Sequence, residues 1–372
     1  MMKIMRIPLL SLALITCLTA SADGLMPNSH PEEASGNTPD EVPASTPVKA
    51  PEKAPVNVTL EARASYIYTA VDGEKQKEGT GFQGDIADIF VEGNLNEKFS
   101  YKYRQRLNGI NKDKTFFDAT DWLYLRYDLN SHFAALAGKW IVGLGSWEYD
   151  PTPIDSYQVC EFAYHLPCYQ WGANLIFTTD SQKSVFIAQA CTSPLGSAYH
   201  SATGKPADMY AYNLMWFGQY GFYRSIWSVN ELEYCPGKFM NCIVLGNRFD
   251  LGDQFRIDVD LFNRAAGGQK LLFRDYSIAT KIFYNPSSRF HFFARYAHEE
   301  NRSGSKADAL LLDGTRLDNI SAGVEYFPLG NDKLRIHANG YYSFGDNTNS
   351  AGVLLDKQVM VSFGLTWRMK LL

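Results

Sequence analysis

The strongest constraint on the fold sits at the end of the chain, in residues 356–372, D-K-Q-V-M-V-S-F-G-L-T-W-R-M-K-L-L. Val359, Val361, Phe363, Leu365, Trp367, Met369 and Leu371 occupy every second position, with Ser362, Gly364, Thr366, Arg368 and Lys370 between them. Only a β-strand separates two such sets, because successive side chains point to opposite faces. The stretch runs about thirteen residues, and about 9–11 suffice to cross a bilayer at a tilt. A soluble sandwich strand is rarely so long. A C-terminal strand that closes a membrane barrel accounts for length, alternation and position together.

The start of the chain sets the compartment. Lys3 and Arg6 precede an apolar run from Ile7 to Leu18, and Ala20-Ser21-Ala22 offers an A-x-A cleavage site. Residues 1–22 therefore read as a secretory signal peptide. The run of about twelve residues is too short for an anchor helix, which needs about 20. Cys17 raises a lipoprotein alternative that its neighbours fit poorly. Residues 23–56 repeat Pro27, Pro31, Pro39, Pro43, Pro47, Pro51 and Pro55 among Ala, Ser, Glu and Lys. Such a segment cannot bury enough surface to offset its ordering entropy, so a disordered, Pro-rich periplasmic tether is expected.

Residues 57–372 read as one all-β domain, a transmembrane antiparallel β-barrel of about sixteen strands, an even number as single-chain bacterial barrels have. Short connections rich in Asn, Asp, Gly, Pro and Ser alternate with longer ones, as periplasmic turns alternate with outer loops. Aromatic residues make up 14% of the chain, enough for two interfacial belts, and mean hydropathy is −0.24, as expected where lipid-facing and lumen-facing residues alternate. A net charge of −5 argues against nucleic-acid binding. The compartment implied is the outer membrane of a Gram-negative bacterium, with membrane lipid on one face and water on the other.

Strand phase assigns the charges. A cation facing hydrocarbon at the midplane costs roughly 2–4 kcal/mol, so Arg63, Lys102, Arg104, Arg106, Arg126, Lys139, Arg256, Arg295, Arg335 and Arg368 are expected to line the lumen. Rings of Arg and Lys favour anions. The alternative is that these cations pair with acids such as Asp88, Asp258 and Asp260 and simply keep the lumen wet. The longest loop, 143–168, carries Trp147, Glu148, Asp150, Asp155 and Glu161. It is expected to fold inward as a constriction, the alternative being an exposed loop.

Other chemistry is sparse. Gly79-Thr80-Gly81-Phe82-Gln83-Gly84 fits G-x-G-x-x-G but lacks the strand and helix that make it a phosphate cradle. The seven His are scattered, with no metal-ligand spacing, and no nucleophile elbow appears, so no catalytic residue, metal or cofactor is expected. Five cysteines remain after the signal peptide. Cys235 with Cys242, and Cys160 with Cys168, are candidate disulfides on the outer side.

The order of 85–108 (D-I-A-D-I-F-V-E-G-N-L-N-E-K-F-S-Y-K-Y-R-Q-R-L-N), Trp122-Leu-Tyr-Leu-Arg-Tyr, Gly138-Lys139-Trp140 and Gly143-Leu-Gly-Ser-Trp-Glu-Tyr resembles the phosphate-selective porins O and P. The resemblance implies a sixteen-stranded barrel, often trimeric, that passes small anions down a basic lumen. It carries over Lys102, Arg104, Arg106, Arg126 and Lys139. The acidic loop and the terminal Leu372 depart from that pattern. The expected function is thus passive diffusion of small hydrophilic solutes, leaning to anions and to phosphate. Barrel-assembly machinery and a homotrimer are the expected partners. A non-conducting barrel whose outer loops bind a ligand or partner is the alternative.

Overall fold

The computed structural model describes residues 56–109, 115–269 and 272–372. The segments expected to be a signal peptide and, but for residue 56, a Pro-rich tether lie outside them. Sixteen long strands appear among the described residues: β1 Asn57–Val71, β2 Gly81–Asn94, β3 Phe99–Arg106, β4 Thr120–Asp128, β5 Phe133–Ile141, β6 Tyr169–Thr178, β7 Ser184–Thr192 and β8 Tyr210–Tyr220, followed by β9 Tyr223–Cys235, β10 Lys238–Leu251, β11 Phe255–Ala266, β12 Asp275–Ser287, β13 Phe290–Asn301, β14 Arg316–Tyr326, β15 Leu334–Asp346 and β16 Gln358–Lys370. Each pairs antiparallel with the next, and β16 returns to β1, with Ala62 opposite Trp367 and Tyr66 opposite Phe363. The sheet therefore closes and has no free edge. A two-residue extension at Glu74–Lys75 only prolongs the first hairpin.

Turn chemistry separates the two ends. At one end, Asn96 accepts the amides of Lys98 and Phe99, and Asn130 those of His132 and Phe133. Such Asx turns need only a few residues. The opposite end carries the long connections, including 142–168, 193–209 and 302–315. Aromatic pairs face outward beside the short turns: Phe99 with Tyr127 at 4.6 Å, Phe133 with Phe177 at 5.0 Å, Phe255 with Tyr284 at 4.6 Å, and Phe290 with Tyr326 at 4.9 Å. They form one girdle of a membrane barrel.

The inner wall has two halves. Inward positions of β6 to β10 are largely apolar: Ile176, Ile187, Met215, Ile226, Leu232 and Val244 are buried in one cluster, interspersed with buried Asn174, Gln189, Asn213, Ser228 and Asn230. The remaining wall is charged. The expected lumenal cations other than Lys139 accordingly lie on strands of the remaining wall. Alternation alone could not show this, because β8 (Y-A-Y-N-L-M-W-F) is apolar on both faces but for inward Asn213.

Gly138 lies within an unbroken alternation, in which Phe133, Ala135, Ala137 and Lys139 share the outward face and Leu136, Gly138 and Trp140 the inward one. Its φ is +134°, and a Cβ there would lie 2.2 Å from the carbonyl oxygen of Leu123. Only glycine fits. Lys139 pairs with Leu123 and Trp171 on the outward face, and its Nζ donates to the carbonyl of Phe117 at 2.7 Å. The lumenal assignment of Lys139 is therefore wrong: the ammonium sits at the outer rim, covered by the second outer loop.

Candidate functional site

The loop between β5 and β6 enters the barrel and crosses it. Its first part lies on the apolar half of the wall. Leu144, Trp147 and Tyr149 pack into the cluster formed by β6 to β10. Gly145 presses so closely on β9 that a Cβ would lie 2.6 Å from the carbonyl carbon of Trp227. Its amide donates to Ser228 Oγ at 2.8 Å, and the Gly143 amide donates to Gln189 Oε1 at 2.8 Å. Asp260 of β11 then gathers the chain: Oδ1 accepts the Trp147 amide at 3.0 Å, and Oδ2 accepts the Glu148 amide at 2.7 Å and Ser146 Oγ at 3.0 Å. The Arg248 guanidinium lies 3.7 Å from the Trp147 ring centroid, a desolvated cation–π contact.

The second part crosses to the charged half. Glu148 meets Arg295 in a two-pronged pair, 2.8 Å at each oxygen. Such a fork fixes orientation as well as distance. The short turn Pro153–Asp155 is held by three arginines. Arg63 Nη1 donates to the carbonyls of Ile154 and Ser156, each at 2.9 Å, and Arg335 Nη2 donates to Ile154 at 2.9 Å. Asp155 pairs with Arg335 at 3.0 Å and with Arg368. Burial alone would raise the Asp155 carboxyl, but Arg368 and Arg335 overcome it and hold it well below the usual carboxylate range. Tyr157 donates to Glu325 at 2.8 Å and stacks on Phe293 at 5.8 Å.

The loop ends on a short helix, α1 (Glu161–His165), whose first amides, Glu161 and Phe162, donate to Glu299 of β13. The Glu161 carboxylate accepts the amides of Val353 at 3.0 Å and Leu354 at 2.7 Å, and His165 Nε2 lies 2.7 Å from it. The last outer loop is thus latched onto the inserted one. Burial pushes Glu161 up, but His165 and the amides prevail and lower it, while the bond to Glu161 raises His165 against burial. A lowered acid stabilises above its unfolded value near 4.5 and loses that as pH falls. A raised His stabilises below about 6.5 and loses that as pH climbs through its folded value. The latch is therefore tightest between about pH 4.5 and 6.5. Amide exchange at Val353 and Leu354, corrected for intrinsic rate, is expected to be slowest in that window. Protection that does not vary between pH 5 and 8 would refute the latch.

Each expected lumenal cation has a defined place. Arg104 is fully buried, 2.8 Å from Asp88 and 3.4 Å from Asp121, while Arg106 meets Asp121 at 3.0 Å. Lys102 pairs with Glu92 at 3.0 Å, and Arg126 with Asp128 at 2.6 Å. Arg63, Arg295, Arg335 and Arg368 hold the loop as described. Arg256 lies 3.8 Å from the Phe283 ring centroid and 3.8 Å from Asp258, an acid already held by Arg248 at 2.7 Å. Among the loop residues, Trp147, Glu148, Asp155 and Glu161 make the contacts above, and Asp150 is buried where its amide donates to Ser146. Asp260, Glu299, Tyr157 and Arg264 carry much of the assembly without having been singled out as site residues. Asp258 and Asp260, two acids on one inner face, were the available signal.

The candidate disulfides do not form; all five described cysteines are unbridged. Cys235 stands opposite Lys238 and Cys242 opposite Asn230, four residues further along β10, so about 14 Å separates them. A disulfide needs Cα atoms within about 7 Å. Cys160 Sγ lies 3.3 Å from Arg295 Nη2, and Cys168 Sγ donates to the Leu166 carbonyl at 3.2 Å.

Between loop and wall lies a cavity of about 70 Å³, lined by Arg248, Arg256, Lys281, Phe283, Arg295 and Arg335 among others. A closed sixteen-stranded barrel with an inserted, wall-anchored loop is the architecture of outer-membrane β-barrels of the porin type. The chain resembles in particular the phosphate-selective porins O and P, whose family model matches residues 56–221.

Solved structures agree with the fold. An anion-selective porin from Comamonas acidovorans superposes with a TM-score of 0.61 at 8% identity, covering 84% of this chain and 99% of that one. The outer membrane channel DcaP of Acinetobacter baumannii gives 0.58 at 11% identity, covering 84% and 96%. OmpT of Vibrio cholerae gives 0.55 at 12% identity, covering 86% and 100%. At these identities the likeness is one of fold. No curated relative matches the chain.

Proposed function

We propose that the protein is a diffusion porin for small hydrophilic solutes with a preference for anions, phosphate being the first candidate given the family it resembles. One observation carries the preference. The acids around the cavity are occupied: Asp258 by Arg248, Asp260 by two amides and a hydroxyl, Glu148 by Arg295, Asp155 by two arginines, and Glu325 by Tyr157 and Arg335. Arg256, which also reaches Asp258 at 3.8 Å, and Lys281 lie against the Phe283 ring, at 3.8 and 4.4 Å, and line the same cavity. A solute crossing the cavity passes Arg248, Arg256, Lys281, Arg295 and Arg335, and cationic linings select anions.

The test is single-channel conductance in a planar bilayer, with reversal potential under a KCl gradient. Wild type is expected to reverse toward chloride, and R256Q/K281Q to lose at least half of that shift. Reversal toward potassium in wild type would overturn the reading. A competing reading, a non-conducting barrel whose outer loops bind a partner, draws on the strapped loop and the cavity's size, room for only a handful of waters. Absence of conductance from a folded, heat-modifiable barrel would favour it.

The same proposal places residues 23–56 in the periplasm as a tether, behind a cleaved signal at 1–22, with 57–372 as the barrel. Membrane lipid surrounds the barrel and assembly machinery inserts it. Homotrimer formation is part of the proposal, supported by the trimer form of the Vibrio cholerae protein.

A further inference from the structure

The outward face of β12 to β14 carries charge where hydrocarbon is expected. In register across these strands, Tyr276 faces Glu300, Glu300 faces Arg316, and His298 faces Asp318. These side chains are outward, since Asp275, Glu299 and Asn319 between them are buried inward. The acids are satisfied locally: Glu300 accepts from Arg302 at 2.7 Å and from the Tyr276 hydroxyl at 3.2 Å, and Asp318 from Tyr296 at 2.6 Å, with His298 Nδ1 at 2.9 Å. The arginines are not used up. Arg274 and Arg316 are exposed, and no hydrogen bond or ion pair ties either guanidinium among the described residues. The Arg302 side chain is 56% exposed although it reaches Glu300. The Arg302 amide donates to the Arg274 carbonyl, which puts the two residues side by side.

Height fixes what this row meets. Phe290 lies in the girdle beside the short turns, and Glu300 is ten residues further along β13. At about 3.3 Å per residue and a tilt of about 40°, that separation is about 25 Å, the height of the apolar band of such barrels. The arginines therefore stand at the headgroup level of the outer leaflet, above outward-facing Tyr276, Tyr296 and Ile320.

We propose that Arg274, Arg302 and Arg316 form a binding site for the phosphorylated headgroup of an outer-leaflet lipid, whose acyl chains lie along the apolar strip below. Guanidinium groups match phosphate oxygens in charge and in forked geometry. Tyr276 and His298, 5.8 Å apart between ring centroids, brace Glu300 and Asp318 beneath them. The acids then act as supports that hold the arginine row in place.

The experiment uses the full-length protein in detergent, with bisphosphorylated lipid A as probe and the same lipid stripped of phosphate as control. Wild type is expected to retain the phosphorylated probe and to lose it when the phosphates are removed. Basic groups near a lipid surface contribute roughly fivefold each, so R274Q/R302Q/R316Q is expected to bind on the order of a hundredfold more weakly. R256Q/K281Q, altered only in the lumen, is expected to bind as wild type, and the triple variant to keep wild-type conductance and heat-modifiable migration. Equal retention by the triple variant, or equal binding of the stripped lipid, overturns the proposal. Dissociation of an oligomer in the triple variant with lipid affinity unchanged also overturns it and makes the row a subunit contact.

Discussion

Replacing Asp155 by asparagine is expected to raise the conductance of a single pore severalfold and to move its selectivity further toward anions. The carboxylate draws together Arg335 and Arg368, from adjacent strands, over the turn at the middle of the inserted loop. An amide of the same size keeps the shape and removes the charge. The two arginines retain other acids, Glu325 at 3.1 Å and Glu61 at 2.9 Å, so no cation is left buried alone. The Asp155 side chain is 30% exposed, which scales the lost anchoring to roughly 1–2 kcal/mol, well below that of a fully buried pair. That is enough to let the loop sample positions off the wall while Asp260 still holds its first half. Unchanged conductance in D155N would mean that the carbonyl contacts of Arg63 and Arg335 hold the turn without Asp155. A fall in anion preference would mean that the freed arginines turn away from the solute path.

Much of this architecture is legible in the sequence. The alternation of β16, the Asx turns at Asn96 and Asn130, and the unequal connections report local physics: side chains alternate with period two, and tight turns need particular residues. Position on a face was legible wherever one face was polar, as on β11, where Arg256, Asp258 and Asp260 oppose Ile257, Val259 and Leu261. It failed at Lys139, where the cost of a cation against hydrocarbon argued for the lumen although alternation from Phe133 through Ala135 and Ala137 points outward. The anchoring of the loop was not legible. Asp260 lies 112 to 114 residues from the atoms it holds, and no spacing rule connects groups joined only by closure of the barrel. The cysteines misled for a related reason. Nearness in sequence suggested a bridge, whereas hairpin register places Cys235 at the turn and Cys242 well down β10.

The largest loss of stability is expected from Arg264→Met. This guanidinium is fully buried; it reaches Asp275 at 2.9 Å, Asp308 at 2.7 Å and Ser277 Oγ at 3.2 Å. Asp308 belongs to the outer loop 302–315 and also accepts the amides of Leu310 and Leu311. Those two leucines then pack inside the barrel, in one cluster with Phe162 and Phe262. One cation thus fastens an outer loop, the strand β12 and the inserted loop, since its guanidinium also lies 4.5 Å from the Phe162 ring. Methionine fills much of the volume but leaves two buried carboxylates without a counter-charge, a change that costs about 3–5 kcal/mol. The midpoint of heat-modifiable migration, or of urea unfolding in detergent, is expected to drop accordingly, and outer-loop proteolysis to begin before the barrel opens. The triple change R264M/D275N/D308N is expected to recover most of the loss, because a neutral core has no charge to compensate. If R264M alone unfolds like wild type, water must reach Asp275 and Asp308, and the outer loop is then held by its leucines.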